Sequence, residues 1–315
     1  MSMRIEVRPL RERDLREADS ICRLAFGTFI GLPDPMSFMG DAELVWPRWR
    51  AAPEAALGAY VDGALVGSNF AANWGSFGFF GPLTVRPDFW GQGVAQRLLA
   101  ATMEIFESWG TRHTALFTFP DSTMHIGLYR KSGFQPRSLT PVMSKPSDGA
   151  SRPRPWSTFS EVRPDARAQC LAACRALAGA VHPGLDVQGE IRSVMQQRLG
   201  DTVLVHDGAE LAAFAVCHLG KGSEAGSGAA YIKFGAARPG AGAAHRFERL
   251  LSACEAFAAA RGAERVVAGV NVARRDAHRM MSERGYETFL EGIAMHRPDE
   301  PGYSRPECFV VDDLR

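Results

Sequence analysis

Gly91-Gln92-Gly93 sits between a short apolar run, Leu83-Thr84-Val85, and a segment in which Leu98, Leu99, Met103, Ile105 and Phe106 recur at helical spacing. Pro87 lacks a backbone N–H and ends strand pairing, while two glycines in three residues let the chain approach something closely. A helix opened in this way presents unpaired N–H groups, led by those of Val94 and Ala95, at the positive end of its dipole. That setting suits a phosphate or pyrophosphate. A Gly-x-Gly turn is as often a plain tight connection, so the elements around it must decide.

After the loop the spacing predicts a helix to about residue 109, a strand at 114–119, a short helix over 122–131 carrying His125 and Tyr129, then Gly133-Phe134 and a strand near 139–143. Before it, 5–8 reads as a strand and Asp14 as the cap of a helix reaching about Phe26. Residues 29–40 form a loop, and a short helix follows at 41–50. The runs 57–61 and 64–72 flank Asp62-Gly63, a hairpin signature, and 77–85 is the next strand. Residues 64–85 carry no ionisable group and are long enough to span a bilayer, but Asn69, Asn73, Pro82 and four glycines favour consecutive strands of a buried sheet.

In this order and spacing the chain resembles the GNAT superfamily of acyl-CoA-dependent N-acyltransferases. The residues that carry the likeness are Leu83-Thr84-Val85, Arg86-Pro87, Gly91-Gln92-Gly93-Val94-Ala95 and Leu128-Tyr129-Arg130-Lys131-Ser132-Gly133-Phe134. Trp90 departs from the family pattern, standing where Gln or Arg usually precedes the phosphate loop. The resemblance implies acetyl-CoA as co-substrate, with backbone groups of Leu83, Thr84 and Val85 pairing with the pantetheine arm and the loop from Gly91 to Ala95 holding the pyrophosphate. It implies transfer of the acetyl group to a primary amine, with Tyr129 as general acid for the departing thiolate, since a phenol of pKa near ~10 is protonated at neutral pH. The alternative for Tyr129 is simple packing.

Deprotonating an alkylamine of pKa about 10.4 at pH 7 costs roughly 4.6 kcal/mol, so a base, a water chain or a weakly basic acceptor is needed. The strand at 77–81 offers no carboxylate. His125, one helical turn before Tyr129, is a candidate base, with a first-turn backbone hydrogen bond as the plainer alternative. Asp88 and Glu54 have no spacing argument and read as solvated. The rings of Phe26, Phe29, Phe38, Trp46, Trp49 and Trp74 either line an acceptor cleft or form ordinary core.

The second half repeats the first. Glu6-Val7-Arg8-Pro9 returns as Glu161-Val162-Arg163-Pro164 and Asp62-Gly63 as Asp207-Gly208. Arg86-Pro87 with Arg238-Pro239, Arg97-Leu98-Leu99 with Arg249-Leu250-Leu251, and Gly133-Phe134 with Gly285-Tyr286 are all separated by 152 residues. The expected fold is therefore α/β, two tandem GNAT-like domains, each a mixed, mostly antiparallel twisted sheet flanked by helices. Residues 1–145 form the cofactor-binding, catalytic domain, 146–157 a Pro/Ser/Gly-rich linker, and 158–315 a degenerate copy. The 152-residue offset puts His245 at Gly93, Phe247 at Ala95 and Met281 at Tyr129, which predicts a second loop sealed by side chains. Gly240-Ala241-Gly242 is the alternative relic of the loop. The terminal run Cys308-Phe309-Val310-Val311 reads as a last strand that crosses back to the first sheet.

A net charge of +1 over 315 residues gives no general attraction to nucleic acid or membrane. The six cysteines show no Cys-x-x-Cys pair; with no signal peptide apparent, they point to reduced thiols, a cytoplasmic protein and no metal. The acceptor reads as a small molecule, and the sequence leaves homodimerisation open. A CoA-binding sensor without turnover and a protein N-acetyltransferase are the competing functions.

Overall fold

The computed structural model describes residues 4–147 and 155–315. The first copy runs β1 (Ile5–Pro9), α1 (Leu15–Phe29), α2 (Val45–Ala51), β2 (Ala56–Val61), β3 (Ala64–Trp74), β4 (Phe77–Phe80), β5 (Thr84–Val85), α3 (Val94–Ser108), β6 (His113–Thr118), α4 (Thr123–Lys131) and β7 (Gln135–Pro146). The second runs β8 (Trp156–Thr158), α5 (Arg167–Val181), α6 (Gln188–Gln197), β9 (Gly200–Asp207), β10 (Glu210–Gly220), β11 (Gly226–Ala237), α7 (Ala243–Ala260), β12 (Arg265–Gly269), α8 (Arg275–Glu283), β13 (Glu287–Arg297) and β14 (Val310–Val311). The uncharged stretch is three strands, as its composition implies. The β2–β3 hairpin turns on Asp62 and Gly63 with φ of 50° and 81°, the pair of positive angles that a two-residue turn matching strand twist requires. Among the described residues no helix is long and apolar enough to cross a membrane.

The two copies share one sheet. Its order is β1-β2-β3-β4-β6-β13-β7-β12-β11-β10-β9-β8, with β5 paired to β3 and β14 to β11. Each copy thus gives its last long strand to the other. β13 pairs with β6 through Ile293 and Thr118 to Arg297 and Thr114, and β7 pairs with β12 through Arg265 and Pro146 to Gly269 and Val142. Two expectations are corrected here. The terminal run at 308–311 does not return to the first sheet, because β14 pairs with Gly235 and Ala236 of β11; the strand that returns is β13. The expected linker is also shorter at both ends, since Pro146 belongs to β7 and Trp156 and Ser157 to β8; of what remains, 147–155, residues 148–154 lie outside the described residues.

Apolar packing reinforces the exchange. Trp74, Phe77 and Phe79 from the first copy form one core with Leu177, Phe214 and Phe234 from the second. At the β6–β13 seam two buried histidines meet, His113 Nε2 lying 3.0 Å from His296 Nδ1. Burial, then the proximity of its partner, pushes His113 down to about 3; burial pushes His296 down to about 4.

A protease site inserted between Ser147 and Pro155 and then cut leaves fragments that co-elute at the mass of the intact chain, because β7 and β13 each sit in the other fragment's sheet; separate elution would disprove the exchange. Both seam histidines also stay neutral when folded but protonate near pH 6.5 when unfolded. Their contribution is therefore full above pH ~6.5 and is lost as pH falls towards 4, at up to about 1.4 kcal/mol per pH unit for each. Denaturant titrations from pH 7 to 4.5 should show this slope and a shallower one in His296→Gln; equal slopes would remove the assignment.

Candidate active site

β4 pairs with β6 over Phe77 to Phe79 only, and beyond Gly81 the chain leaves it to pair Thr84 and Val85 with Ser68 and Gly67 of β3. A gap opens between β5 and β6. β5 can come this close because Gly67 has no side chain: a Cβ there would stand 2.7 Å from the Thr84 carbonyl oxygen. The gap is floored by α3, whose Val94, Leu98 and Leu99 are buried against the sheet, and closed on its far side by α4.

The result is a cleft of about 390 Å3. One wall is Leu83, Thr84 and Val85; its end is Gly91, Gly93, Val94 and Ala95; opposite stand His125, Leu128 and Lys131 of α4, with Phe26 and Phe29 of α1 above. Gly91 and Gly93 hold φ of 75° and 85°, and a Cβ at either would meet nothing within 4 Å. They are needed for the left-handed backbone rather than for space. Gly93 caps α3 with no side-chain hydrogen bond, so the first-turn amides are left for a ligand.

Of the residues singled out from the sequence, all the proposed cofactor contacts except Gln92 line this cleft. Gln92 instead turns its side-chain amide back to the Asp88 carbonyl, 2.8 Å. His125 lines it, with its ring 4.7 Å from that of Phe29 and its Nδ1 buried without a hydrogen-bond partner among the described residues. Burial lowers its pKa, which keeps the imidazole neutral at pH 7. Tyr129 does not line the cleft. It packs in the core behind α4, 5.8 Å from the Phe80 ring, and burial raises its phenol pKa.

Trp90, the departure in the loop, donates its indole N–H to the Val85 carbonyl at 2.7 Å. It thereby occupies one main-chain acceptor on the wall of the cleft. Lys131 and Gln96, which also line the cleft, were missed, although Lys131 was legible as the cation next to Tyr129-Arg130. The aromatic group splits: Phe26 and Phe29 face the cleft, Phe38 stacks on Phe26 at 5.0 Å, Trp46 and Trp49 pack on the α1 core, and Trp74 belongs to the inter-copy core.

The second copy corrects the expected register. The residue that caps α7 is Gly242, φ 80°, and Gly240 has φ 97°, so Gly240-Ala241-Gly242 is the counterpart of Gly91-Gln92-Gly93. His245 and Phe247 do not stand at the loop; Phe247 is fully buried in the second core. The reason is length. α7 has 18 residues against 15 in α3, and the extra three extend its start by about 4.5 Å at 1.5 Å per residue. They consume the turn that Pro87 to Phe89 makes in the first copy. Arg246, tied to the Arg238 carbonyl at 3.1 Å and to Asp207 at 3.5 Å, lies against Gly242. Met281 is buried at the Tyr129 place.

Comparison with known proteins agrees. Residues 19–134 match the model of the acetyltransferase (GNAT) family. The first copy is a GNAT domain. No curated protein matches the chain. Among solved structures, a candidate acetyltransferase from Pyrococcus horikoshii is similar over 98% of this chain and 95% of its own at 14% identity and TM-score 0.70. GCN5-related N-acetyltransferases from Sphaerobacter thermophilus (16% identity, 95% of this chain, 96% of that one, TM-score 0.57) and Anabaena variabilis (15%, 93%, 72%, 0.55) share the two-copy fold. At these identities the likeness is one of fold, and across both copies that fold is a tandem of GNAT-like domains.

Gly67→Ala should separate β5 from β3, lowering stability by about 1–3 kcal/mol as overpacked sites do and distorting the Leu83–Val85 wall. Thermal unfolding reads the first effect and acetyl-CoA titration the second; an unchanged Tm would show that β5 is not held by this contact.

Proposed function

We propose that the cleft binds acetyl-CoA and that the protein transfers the acetyl group to a primary amine of a small molecule. The observation that carries this reading is the uncapped start of α3, with Gly93 in the left-handed region, at the end of a cleft whose side is the free edge of β5. The pyrophosphate would sit on the first-turn amides of α3. A helix dipole alone contributes about 0.3–2 kcal/mol to an anion there, so direct N–H bonds and the Lys131 ammonium supply the rest. GNAT proteins use acetyl-CoA and act on amines.

In the reaction the amine lone pair attacks the thioester carbonyl carbon, a C–N bond forms and the C–S bond breaks. The thiolate takes a proton from Tyr129, whose raised pKa keeps it protonated, and the amine's proton leaves through neutral His125 or solvent, from which the phenolate is restored. Tyr129 packs behind α4, so this role requires its hydroxyl to reach the sulfur from the core side of the helix. The first copy would hold the catalytic site and the second would serve as a degenerate partner. The Trp90–Val85 bond favours one second reading, a CoA sensor without turnover, since it removes an acceptor that a pantetheine arm would use. A protein with these traits, six free cysteines and no long apolar helix among its described residues, fits the cytoplasm.

Isothermal titration and free-thiol release test the reading together. Gly93→Val should weaken acetyl-CoA at least tenfold, because a β-branched residue resists positive φ. Tyr129→Phe should lower kcat by about 10²–10⁴-fold, the range for a lost general acid, with acetyl-CoA affinity within twofold. Tight acetyl-CoA binding with no turnover on any amine selects the sensor, and full turnover by Tyr129→Phe removes the acid assignment.

A further inference from the structure

A second cavity, of about 320 Å3, lies where the two copies meet. Phe79 and Gly81 of the first copy face His218, Glu224 and Lys233 of the second across it, with α2 and α6 as its sides. Its volume is at the small end for ligand pockets, and the acetyl-transfer steps above make no use of it. Gly81 lines this cavity and Leu83 lines the acyl-CoA cleft. Two residues of chain reach at most about 7 Å, so the cavities are neighbours across Gly81-Pro82-Leu83.

Three of its charges satisfy one another. Arg48 holds Glu224 with two bonds, 3.0 Å and 2.9 Å, and Lys233 binds the same carboxylate. Arg48 also donates to the Gly81 carbonyl, which fixes the step between the cavities. Other groups are left over. Glu190 accepts the Trp74 indole N–H at Oε1, 3.0 Å, and is near enough to Arg48 to feel its charge, but makes no ion pair of its own among the described residues. Glu54, at the rim, is exposed and makes no ion pair among the described residues.

His218 is the decisive one. It is 2% exposed, and its Nδ1 accepts the backbone N–H of Glu224 at 3.3 Å. The neutral ring therefore carries its hydrogen on Nε2, and that atom is buried with no partner among the described residues. A buried donor left unmet is destabilising, and a ligand oxygen accepting from it would remove that cost.

We propose that this inter-copy cavity is the acceptor subsite and takes a small primary amine that also carries hydroxyl or carbonyl oxygens. The carboxylates of Glu54 and Glu190 draw in the amino group, and an oxygen of the same molecule accepts from His218 Nε2–H. Specificity for the acceptor is then supplied largely by the second copy. The inference rests on the acyl-CoA reading of the neighbouring cleft.

Saturation-transfer NMR on the full chain tests it with D-glucosamine, an oxygen-rich ring amine, against cyclohexylamine, which has the ring and the amine but no oxygen. Glucosamine should bind at least tenfold more tightly, and His218→Phe should abolish that preference. Gly189→Phe blocks the cavity independently: Gly189 lines it, is the second residue of α6 in ordinary helical backbone, and a Cβ there would meet nothing within 4 Å. It should cost glucosamine at least tenfold in affinity while acetyl-CoA titrates within threefold of the wild type. Equal binding of the two amines to the wild type, or no loss in Gly189→Phe, overturns the subsite. Loss of acetyl-CoA binding by the wild type, with the amine preference kept, instead overturns the reading of the cleft and leaves the cavity's amine recognition standing.

Discussion

The antiparallel seam of β13 between β6 and β7 is the contact on which the rest depends. A sheet edge must be paired or covered. β6 is left with a free edge when β7 departs, and β13 covers it; β12 is left free by β13 and receives β7. Because both exchanges happen within one chain, the linkage raises the effective concentration of each strand at its acceptor edge without any new contact. The exchange also fixes the first-copy cleft. β6 cannot move towards β5 to close the gap, since its other edge is bonded to a strand that belongs to the second copy.

Within that frame the difference between the copies comes down to where a helix begins. Both keep two glycines at positive φ before an uncapped helix, so amide geometry alone does not separate them. In the first copy, three residues go into the turn at Pro87 to Phe89 and α3 starts behind an open wall. In the second, the same length is wound into α7, and Arg246 neutralises the negative end of nothing but Asp207 and a carbonyl. An anion arriving there would meet a cation already committed. In the cleft of the first copy Lys131 instead makes no ion pair among the described residues and stands across from free amides, so charge and geometry point the same way in the first copy and not in the second.

The sequence carried the strands, helices and hairpin turn because local pattern determines them: Asp62-Gly63 can do little but turn, and residues 64–85 can do little but lie in a sheet. The duplication was equally legible from anchors a fixed distance apart. Strand exchange was not. The alternation in 135–146 and 287–297 is satisfied by either neighbour, and only three-dimensional closure chooses. The same fixed offset misled at the loop, since Arg86/Arg238 and Arg97/Arg249 share a register while the glycines between them do not. A helix can absorb three residues without changing its flanking landmarks. Tyr129 marks another limit: periodicity put it on a face with His125, yet a helix of this width turns far enough in four residues for one ring to line a cleft and the other to enter the core.

The inter-copy cavity was invisible for a different reason, since its polar groups come from residues about 180 apart in the chain, Arg48 and Glu224 or Lys233, which no spacing rule connects. Burying two cations on one carboxylate is costly in itself, because each ion loses its hydration. Replacement by apolar residues of like volume would often be no less stable. Arg48 does more than pair, however: its guanidinium reaches the Gly81 carbonyl as well as Glu224, so the ion cluster ties the second copy's strands to the point where the first copy's sheet divides. A hydrophobic substitute would pack but would leave that carbonyl unmet and that segment unplaced. The position of Gly81, and with it the wall shared by the two cavities, thus depends on a contact that neither copy can make alone, which is a physical reason for the second copy to persist even where its own glycine loop is covered.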